Sequence, residues 1–310
     1  MSAVLLAVDW GTSSLRAALI DAHGQVQDTR EFAQGILHVP QGEFAKVFQH
    51  RLGDWMQAPE RLCLISGMAG SRQGWQEAPY CPCPAGFEDL STRLHWIEPR
   101  IALVPGLHCT HQKTLDADRI GPGQDDVMRG EEVQIFGALS ITGLSQATVV
   151  LPGTHSKWAQ VRDSRVQRFQ TFMTGELFAL LSQHSILART LVTDAPWDEA
   201  AFVHAVQQAQ TGPGPLAHVF GTRTSALFER LPAAALTSHL SGLLIGEELR
   251  ATRDMPDPLL LVGNSTLSAR YALALRALGR SCTVLTHEAT WAGLASLARN
   301  LNPPVIHHER

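Results

Sequence analysis

The chain has 310 residues, 45% of them hydrophobic and 17% charged, a globular composition too long for one ordinary core and comfortable for two. Its formal net charge is -4 and it has no Lys/Arg cluster, which argues against nucleic acid as a partner. No apolar run approaches the roughly 20 residues of a membrane span. The start lacks the basic segment of a signal peptide, so a cytoplasmic protein with no membrane association is expected.

Residues 3–8 are an unbroken apolar run ending at Asp9, the pattern of a strand covered on both faces. Gly11-Thr-Ser-Ser14 is a tight turn, 15–20 a second strand, Asp21 to Gly24 a turn and 25–32 a third strand. This meander differs from the strand-to-helix step of a dinucleotide-binding unit. A helix is expected near 42–57 and a strand at 62–66. A Gly, Pro, Cys and aromatic-rich loop should fill 71–95, with a strand at 101–104 and a helix over 126–142 that has Met128, Glu132, Ile135 and Leu139 on one stripe. The first lobe then ends near Gly143.

The second lobe opens the same way. A strand at 148–151 leads to the turn Pro152-Gly-Thr-His-Ser-Lys157, with strands at 158–161 and 165–172 beyond it. Helices are expected at 176–188, 198–210, 222–231 and 236–252, where Gly242 and Gly246 allow close packing. A strand at 259–262, a helix at 265–278, a strand at 282–285 and a helix at 288–300 follow, with a frayed tail. A shift of 142 residues places Gly11 on Gly153, Thr12 on Thr154, Ser14 on Ser156 and Asp21 on Asp163. The match in identical context points to two lobes of common design, 1–143 and 144–310. The five cysteines are irregularly spaced and fit reduced thiols. Cys81 and Cys83, and the His108-Cys109-His111 group, read as loop residues rather than metal clips.

A Gly-Thr turn between strands offers backbone N–H groups and a hydroxyl to a phosphate. Two such turns facing a common cleft could hold a polyphosphate from both sides. Asp9 ends a buried strand, where a carboxylate needs a partner, and Mg²⁺ bound to phosphate would serve. The plainer alternative is that Asp9 and Thr12 only brace the turn. Phosphoryl transfer also needs a carboxylate to orient the attacking hydroxyl. Asp125 or Asp126 could cap the helix, with Asp126 still reaching the cleft. Arg129 could grip a substrate carboxylate in a fork. Glu132, on the apolar stripe, is expected either to pair with Arg129 or to act in the site, the ion pair being preferred. Lys157 could approach a phosphate or lie solvated on a strand edge. Gly263, between a strand and a helix, could floor a nucleotide base.

Several blocks together resemble the 2-dehydro-3-deoxygalactonokinases of the sugar kinase, Hsp70 and actin superfamily. They are Asp9-Trp-Gly-Thr, Gly67-Met-Ala-Gly70, Gly74-Trp75 with Ala78-Pro-Tyr80, Val127-Met-Arg-Gly-Glu-Glu132, Pro152-Gly-Thr-His-Ser-Lys-Trp158, Met173-Thr-Gly-Glu176 and Leu240 to Gly246. The likeness runs from about residue 4 to 298. It implies an α/β fold of two ribonuclease-H-like lobes with an interlobe cleft for ATP and Mg²⁺. It also implies transfer of the γ-phosphate to the 6-hydroxyl of 2-dehydro-3-deoxy-D-galactonate, a small-molecule sugar acid, in galactonate catabolism. Carried over by position, Asp9, Gly11 and Thr12 match the first phosphate motif, with Asp9 as the metal residue. Gly153 and Thr154 match the second motif, joined by Lys157, and Gly263 matches the adenosine motif. Asp126 sits where related kinases place a base before a helix, with Glu131 or His155 as substitutes. Ser71, Trp75 and Tyr80, with Arg129, are expected to contact the sugar acid. A phosphatase or an ATP-driven switch of the same superfamily, or a kinase of another sugar acid, are the alternatives. Oligomeric state is left open, and a homodimer is compatible with all of these readings.

Overall fold

The apolar run at the start of the chain becomes β1 (Ala3–Trp10), buried from Leu5 to Val8 because it is the inner strand of a six-stranded sheet. The computed structural model describes residues 3–301 apart from 112–113, 117–118, 121–123 and 193. The tail expected to fray lies outside the described residues.

In chain order β2 (Leu15–Asp21) and β3 (Val26–Phe32) follow, then α1 (Phe44–Leu52), β4 (Leu62–Ser66), β5 (Tyr80–Pro82) and α2 (Phe87–Ser91). Next come β6 (His95–Glu98), β7 (Ile101–Leu103), β8 (Gly106–His111), β9 (Thr114–Asp116), β10 (Arg119–Ile120), β11 (Gln124–Met128) and α3 (Glu131–Thr142). The rest comprises β12 (Ala147–Leu151), β13 (Ser156–Arg162), β14 (Arg165–Phe172), α4 (Thr174–His184), α5 (Glu199–Gln208), α6 (Pro215–Leu227), α7 (Leu236–Ala251), β15 (Leu259–Val262), α8 (Ser265–Ala277), β16 (Thr283–Leu285) and α9 (Glu288–Asn300).

Two compact units emerge. The first takes residues up to 146, 159–169 and those from 287 on; the second takes 147–158 and 170–286. The first carries the sheet β3-β2-β1-β4-β7-β6, in which β4 and β7 run parallel to β1 while β2 and β3 alternate. The second sheet is ordered β14-β13-β12-β15-β16. The first five strands of one and the five of the other thus share a single order, third-second-first-fourth-fifth, the common design implied by the repeat. A smaller sheet, β11-β8-β5, belongs to the first unit.

The units are not the two halves of the sequence. A single break at 143/144 leaves α9 with the second half, yet α9 packs on α3 of the first unit. A Cβ on Gly137 would lie 1.7 Å from Ala289 O, and one on Gly293 would lie 2.0 Å from Val133 O, so the two backbones touch. Between α5 and α7 the expected close approach holds: a Cβ on Gly242 would sit 2.3 Å from Phe202 O, and one on Gly246 2.7 Å from Ala209 Cβ.

Three expectations need correction. The stretch 126–142 is not one helix. Residues 124–128 pair antiparallel with β8, and Gly130 at φ +103° breaks the chain before α3 begins at Glu131. The helix expected at 222–231 starts earlier, because Gly214 turns the chain at φ +106° and Pro215 opens the first turn. The 71–95 excursion contains β5, α2 and the start of β6 rather than loop alone.

Candidate active site

In the first unit the Gly11–Ser14 turn is closed by Gly11 N–H donating to Ser14 O at 2.9 Å. Gly35 lies flat against it: a Cβ there would meet Ser13 N and Thr12 C and O, each at 2.3 Å. The following N–H groups bond the turn's carbonyls, Ile36 N to Gly11 O at 3.0 Å and Leu37 N to Thr12 O at 3.2 Å. With those acceptors occupied, the exposed Thr12 presents donors outward. Asp9 Oδ2 is paired with Arg16 at 2.5 Å, which answers the question of its partner. Its Oδ1 has no hydrogen bond among the described residues.

Three chain segments meet beside Asp9. Gly67, just after β4, adopts φ +93°, and a Cβ there would lie 2.8 Å from Trp10 O and 3.3 Å from Asp9 Oδ1. Gly130 packs in turn on Gly67, since its Cβ would lie 3.2 Å from Gly67 Cα. Both positions therefore require glycine. This contact brings the β11–α3 turn against the end of β1. Within that turn, Glu131 Oε2 accepts Arg129 N–H at 3.0 Å and Glu132 Oε2 accepts Gly130 N–H at 2.7 Å.

Arg129 is 8% exposed. Its Nη2 donates to Ala78 O at 2.8 Å, and its guanidinium lies 4.4 Å from the centre of the Tyr80 ring. Nε and Nη1 are buried without a hydrogen-bond partner, as are the hydroxyls of Ser66 and Ser71. A Cβ on Gly70, the residue before Ser71, would lie 3.0 Å from Nη1. Ser71, Tyr80 and Arg129, predicted separately, thus belong to one neighbourhood. Trp75 is half-buried, and its ring engages Trp10 at 6.1 Å and Phe48 at 5.4 Å.

Glu132 is wholly buried and makes no ion pair with Arg129, against the preferred expectation. Its Oε1 has no hydrogen-bond partner. Burial first, and then the neighbouring Glu131 carboxylate, push its pKa up to about 8. Asp125 and Asp126 do not cap α3, because they lie in β11. Asp126 Oδ1 accepts the next N–H, that of Val127, at 2.8 Å. Asp125 accepts from Thr110 at 2.7 Å and lies 3.2 Å from His108 Nε2.

The second unit repeats the hairpin device. A Cβ on Gly175 would lie 2.5 Å from Gly153 O, and Glu176 N–H donates to Thr154 O at 3.0 Å. His155 Nε2 and Glu176 Oε2 are 2.5 Å apart. Gly263 sits beside the same turn, its would-be Cβ 3.6 Å from Pro152 Cδ. Lys157 is 5% exposed on an inner strand, so it is not a solvated edge residue.

A buried carboxylate missed by the sequence reading anchors this hairpin. Glu248 of α7 accepts Trp158 Nε1–H at 2.7 Å, Tyr271 O–H at 2.7 Å and the Thr174 hydroxyl, while Ser156 Oγ lies 2.9 Å from Tyr271 O. Burial raises its pKa, and the four hydroxyl and indole groups oppose that rise. One side chain thus ties the strand leaving the hairpin, the first residue of α4 and α8 to α7. The available signal was Glu247-Glu248 interrupting the apolar helix 240–249.

A family model described as 2-keto-3-deoxy-galactonokinase matches residues 9–297. The chain belongs to this family. It is 36% identical to a Rhizobium meliloti (strain 1021) protein named as a probable 2-dehydro-3-deoxygalactonokinase, covering 96% of this chain and 97% of the relative. It is 32% identical to the Escherichia coli (strain K12) 2-dehydro-3-deoxygalactonokinase, covering 96% and 98%. A solved Sinorhizobium meliloti structure described under the same activity superposes with a TM-score of 0.84 at 35% identity, over 95% of this chain and 98% of that one. Component A of (R)-2-hydroxyglutaryl-CoA dehydratase from Acidaminococcus fermentans, at 9% identity and a TM-score of 0.50 over 95% of each chain, shares the fold alone. The expected family thus stands.

Proposed function

We propose that the protein transfers the γ-phosphate of ATP to the 6-hydroxyl of 2-dehydro-3-deoxy-D-galactonate, giving ADP and a 6-phosphate suited to aldol cleavage in galactonate catabolism. The observation that carries the sugar-acid reading is Arg129. A buried guanidinium with two unpaired donors is costly without an anion. A substrate carboxylate supplies the charge and matches the planar fork. Tyr80 stacks on the guanidinium and fixes its plane, and the unpartnered Ser71 hydroxyl supports the same end of the substrate.

The segment that follows bonds the carbonyls of Gly11 and Thr12 in the first turn and that of Thr154 in the second, and with Gly11 N–H closing its own turn it is Thr12 and Gly153-Thr154 that would offer donors to phosphate oxygens. Lys157 adds positive charge near the second turn, and Gly263 floors the adenosine. Asp9 keeps one oxygen free of Arg16, which fits a Mg²⁺ held by a single carboxylate and its own waters. When bound, that ion would neutralise charge on the phosphates.

For the base, the geometry favours Glu131 over Asp126. Glu131 opens α3 next to Gly130, which touches Gly67 and through it Asp9. Asp126 lies four residues before Gly130 in an extended strand, on the order of 13 Å away along the chain.

Incubation with ATP and the sugar acid, read by mass spectrometry, should give the phosphorylated acid. ATP turnover without that product refutes the reading. Arg129→Ala should raise KM for the sugar acid by on the order of 100-fold, the loss of about 3 kcal/mol of charge-assisted hydrogen bonding. A neutral sugar analogue should be affected little, and equal effects on both would remove the carboxylate clamp.

A further inference from the structure

Helix α6 of the second unit is inside out. The residues it buries are polar, His218 and Thr222. They meet α7 through polar partners, His218 Nδ1 with Glu247 Oε1 and Thr222 Oγ1 with His239 Nδ1 at 3.1 Å. Its outward face carries Leu216, Phe220 and Leu227, which are 91%, 55% and 58% exposed, and Phe228 follows at 67%. A surface helix normally turns its apolar stripe inward.

Helix α4 also leaves apolar side chains outside. The residue it buries fully is Thr174, while Leu177 and Leu180 are exposed. Phe178 and Leu181 of α4 and Val219 of α6 pack on one small core with Leu187, Leu240 and Leu244. Residues 186–189 and α7 pack against both helices, and Leu177 of α4 and Pro215 of α6 line one groove between them. Of the 18 exposed large apolar side chains among the described residues, 10 fall within 173–228, so the concentration is local.

At about 200 Å² for a large side chain, the six named here leave on the order of 700 Å² of apolar surface. That exceeds the roughly 300–600 Å² of the largest patch on a typical monomer. It approaches the roughly 800 Å² that each partner contributes to a standard stable interface.

We propose that this α4–α6 face is where a second copy of the chain docks, in a two-fold dimer. The area is what one half of such a dimer requires. The face also holds both halves of a complementary shape. At Pro215, the residue before Leu216, opens a cavity of about 570 Å³ with Met173, Leu177 and Leu244 among its apolar lining. A two-fold axis sets Leu216 and Phe220 of each copy toward the groove of the other. Arg223 is the one acidic or basic side chain on α6 apart from histidine and α4 contributes Glu176, while the groove carries both signs, Glu247, Glu248 and Asp254 with Arg250 and Arg253, so no single sign of charge repels a second copy. A membrane surface would instead call for a Lys/Arg-rich polar rim, which these helices lack.

The test needs no activity measurement, so its failure is separable from that of the kinase reading. Sedimentation equilibrium of the full chain at low-micromolar concentration should give twice the chain mass. Leu216→Glu with Phe220→Glu, and separately Leu227→Glu with Phe228→Glu, should weaken association by on the order of 100-fold or more. These side chains are exposed, so the circular dichroism spectrum should stay that of wild type. Val26→Glu, at an exposed apolar residue of the first unit, should leave the dimer intact. A monomeric wild type, a dimer untouched by both double variants, or equal dissociation by Val26→Glu would each overturn the proposal.

Discussion

Glu132→Gln separates the cost of a buried charge from the benefit of a hydrogen bond. The wild-type side chain has one oxygen on Gly130 N–H and one without a partner, in a wholly buried position. Its pKa rises from 4.5 to about 8, chiefly through burial. The folded state therefore holds a proton that the unfolded chain gives up above pH 4.5. Its contribution to stability is full below that pH and is lost progressively as pH rises toward about 8. A tenfold change in proton affinity corresponds to about 1.36 kcal/mol, so the full loss is on the order of 5 kcal/mol. Glutamine keeps the acceptor for Gly130 and cannot ionise, but it buries an amide without a partner at about 1–3 kcal/mol. The stability of the variant minus that of wild type should therefore rise with pH. Its slope should be about 1.4 kcal/mol per pH unit between roughly pH 5 and 7.5. Below that range the variant should be the less stable protein, and near neutrality the more stable one. Urea unfolding of both proteins in matched buffers measures this difference directly. A flat difference across the range would refute the reasoning and place an ionised Glu132 in the fold.

Gly137→Ala should destabilise by about 2 kcal/mol or more, since its Cβ would meet Ala289 O at 1.7 Å and helix propensity returns only about 1 kcal/mol. Gly221→Ala in α6, whose Cβ would find its nearest neighbour at 3.8 Å, should instead stabilise by up to about 1 kcal/mol. Calorimetry of the pair decides whether the α3–α9 backbone contact is as close as described. Glu131→Gln should lower kcat by on the order of 100-fold or more with ATP affinity nearly intact, and Asp126→Asn should leave most of the turnover. The reverse ranking in steady-state kinetics would return the role of base to Asp126.

Much of the fold was legible in the residues because it rests on local patterns. The run 3–8, the Gly-Thr turns, β4 at 62–66 and α9 at 288–300 follow from apolar periodicity and turn chemistry, which act over a few residues. The repeat at 142 residues pointed to two lobes of common design, and both main sheets have a strand order in common. The candidate site was legible in its residue types: Asp9, Gly11, Thr12, Ser71, Tyr80 and Arg129 were named from sequence. Their relationships were not. Periodicity placed 126–142 on one helix because Met128, Glu132 and Ile135 fit its spacing, while pairing with β8 and the positive φ of Gly130 made the first part a strand.

The sequence by itself determined most of the strands and helices, the Gly-Thr turns between them, and the family. Only the tertiary structure decided the fate of the buried polar groups. It gave Asp9 to Arg16, Glu132 to a backbone N–H, Glu248 to four side chains from distant segments, and left Arg129 with donors to spare. It also returned α9 to the first unit and turned α6 inside out. The reason is physical. Secondary structure answers to neighbours in the chain, whereas a buried charge or hydroxyl is settled by whichever partner the fold brings within about 3 Å.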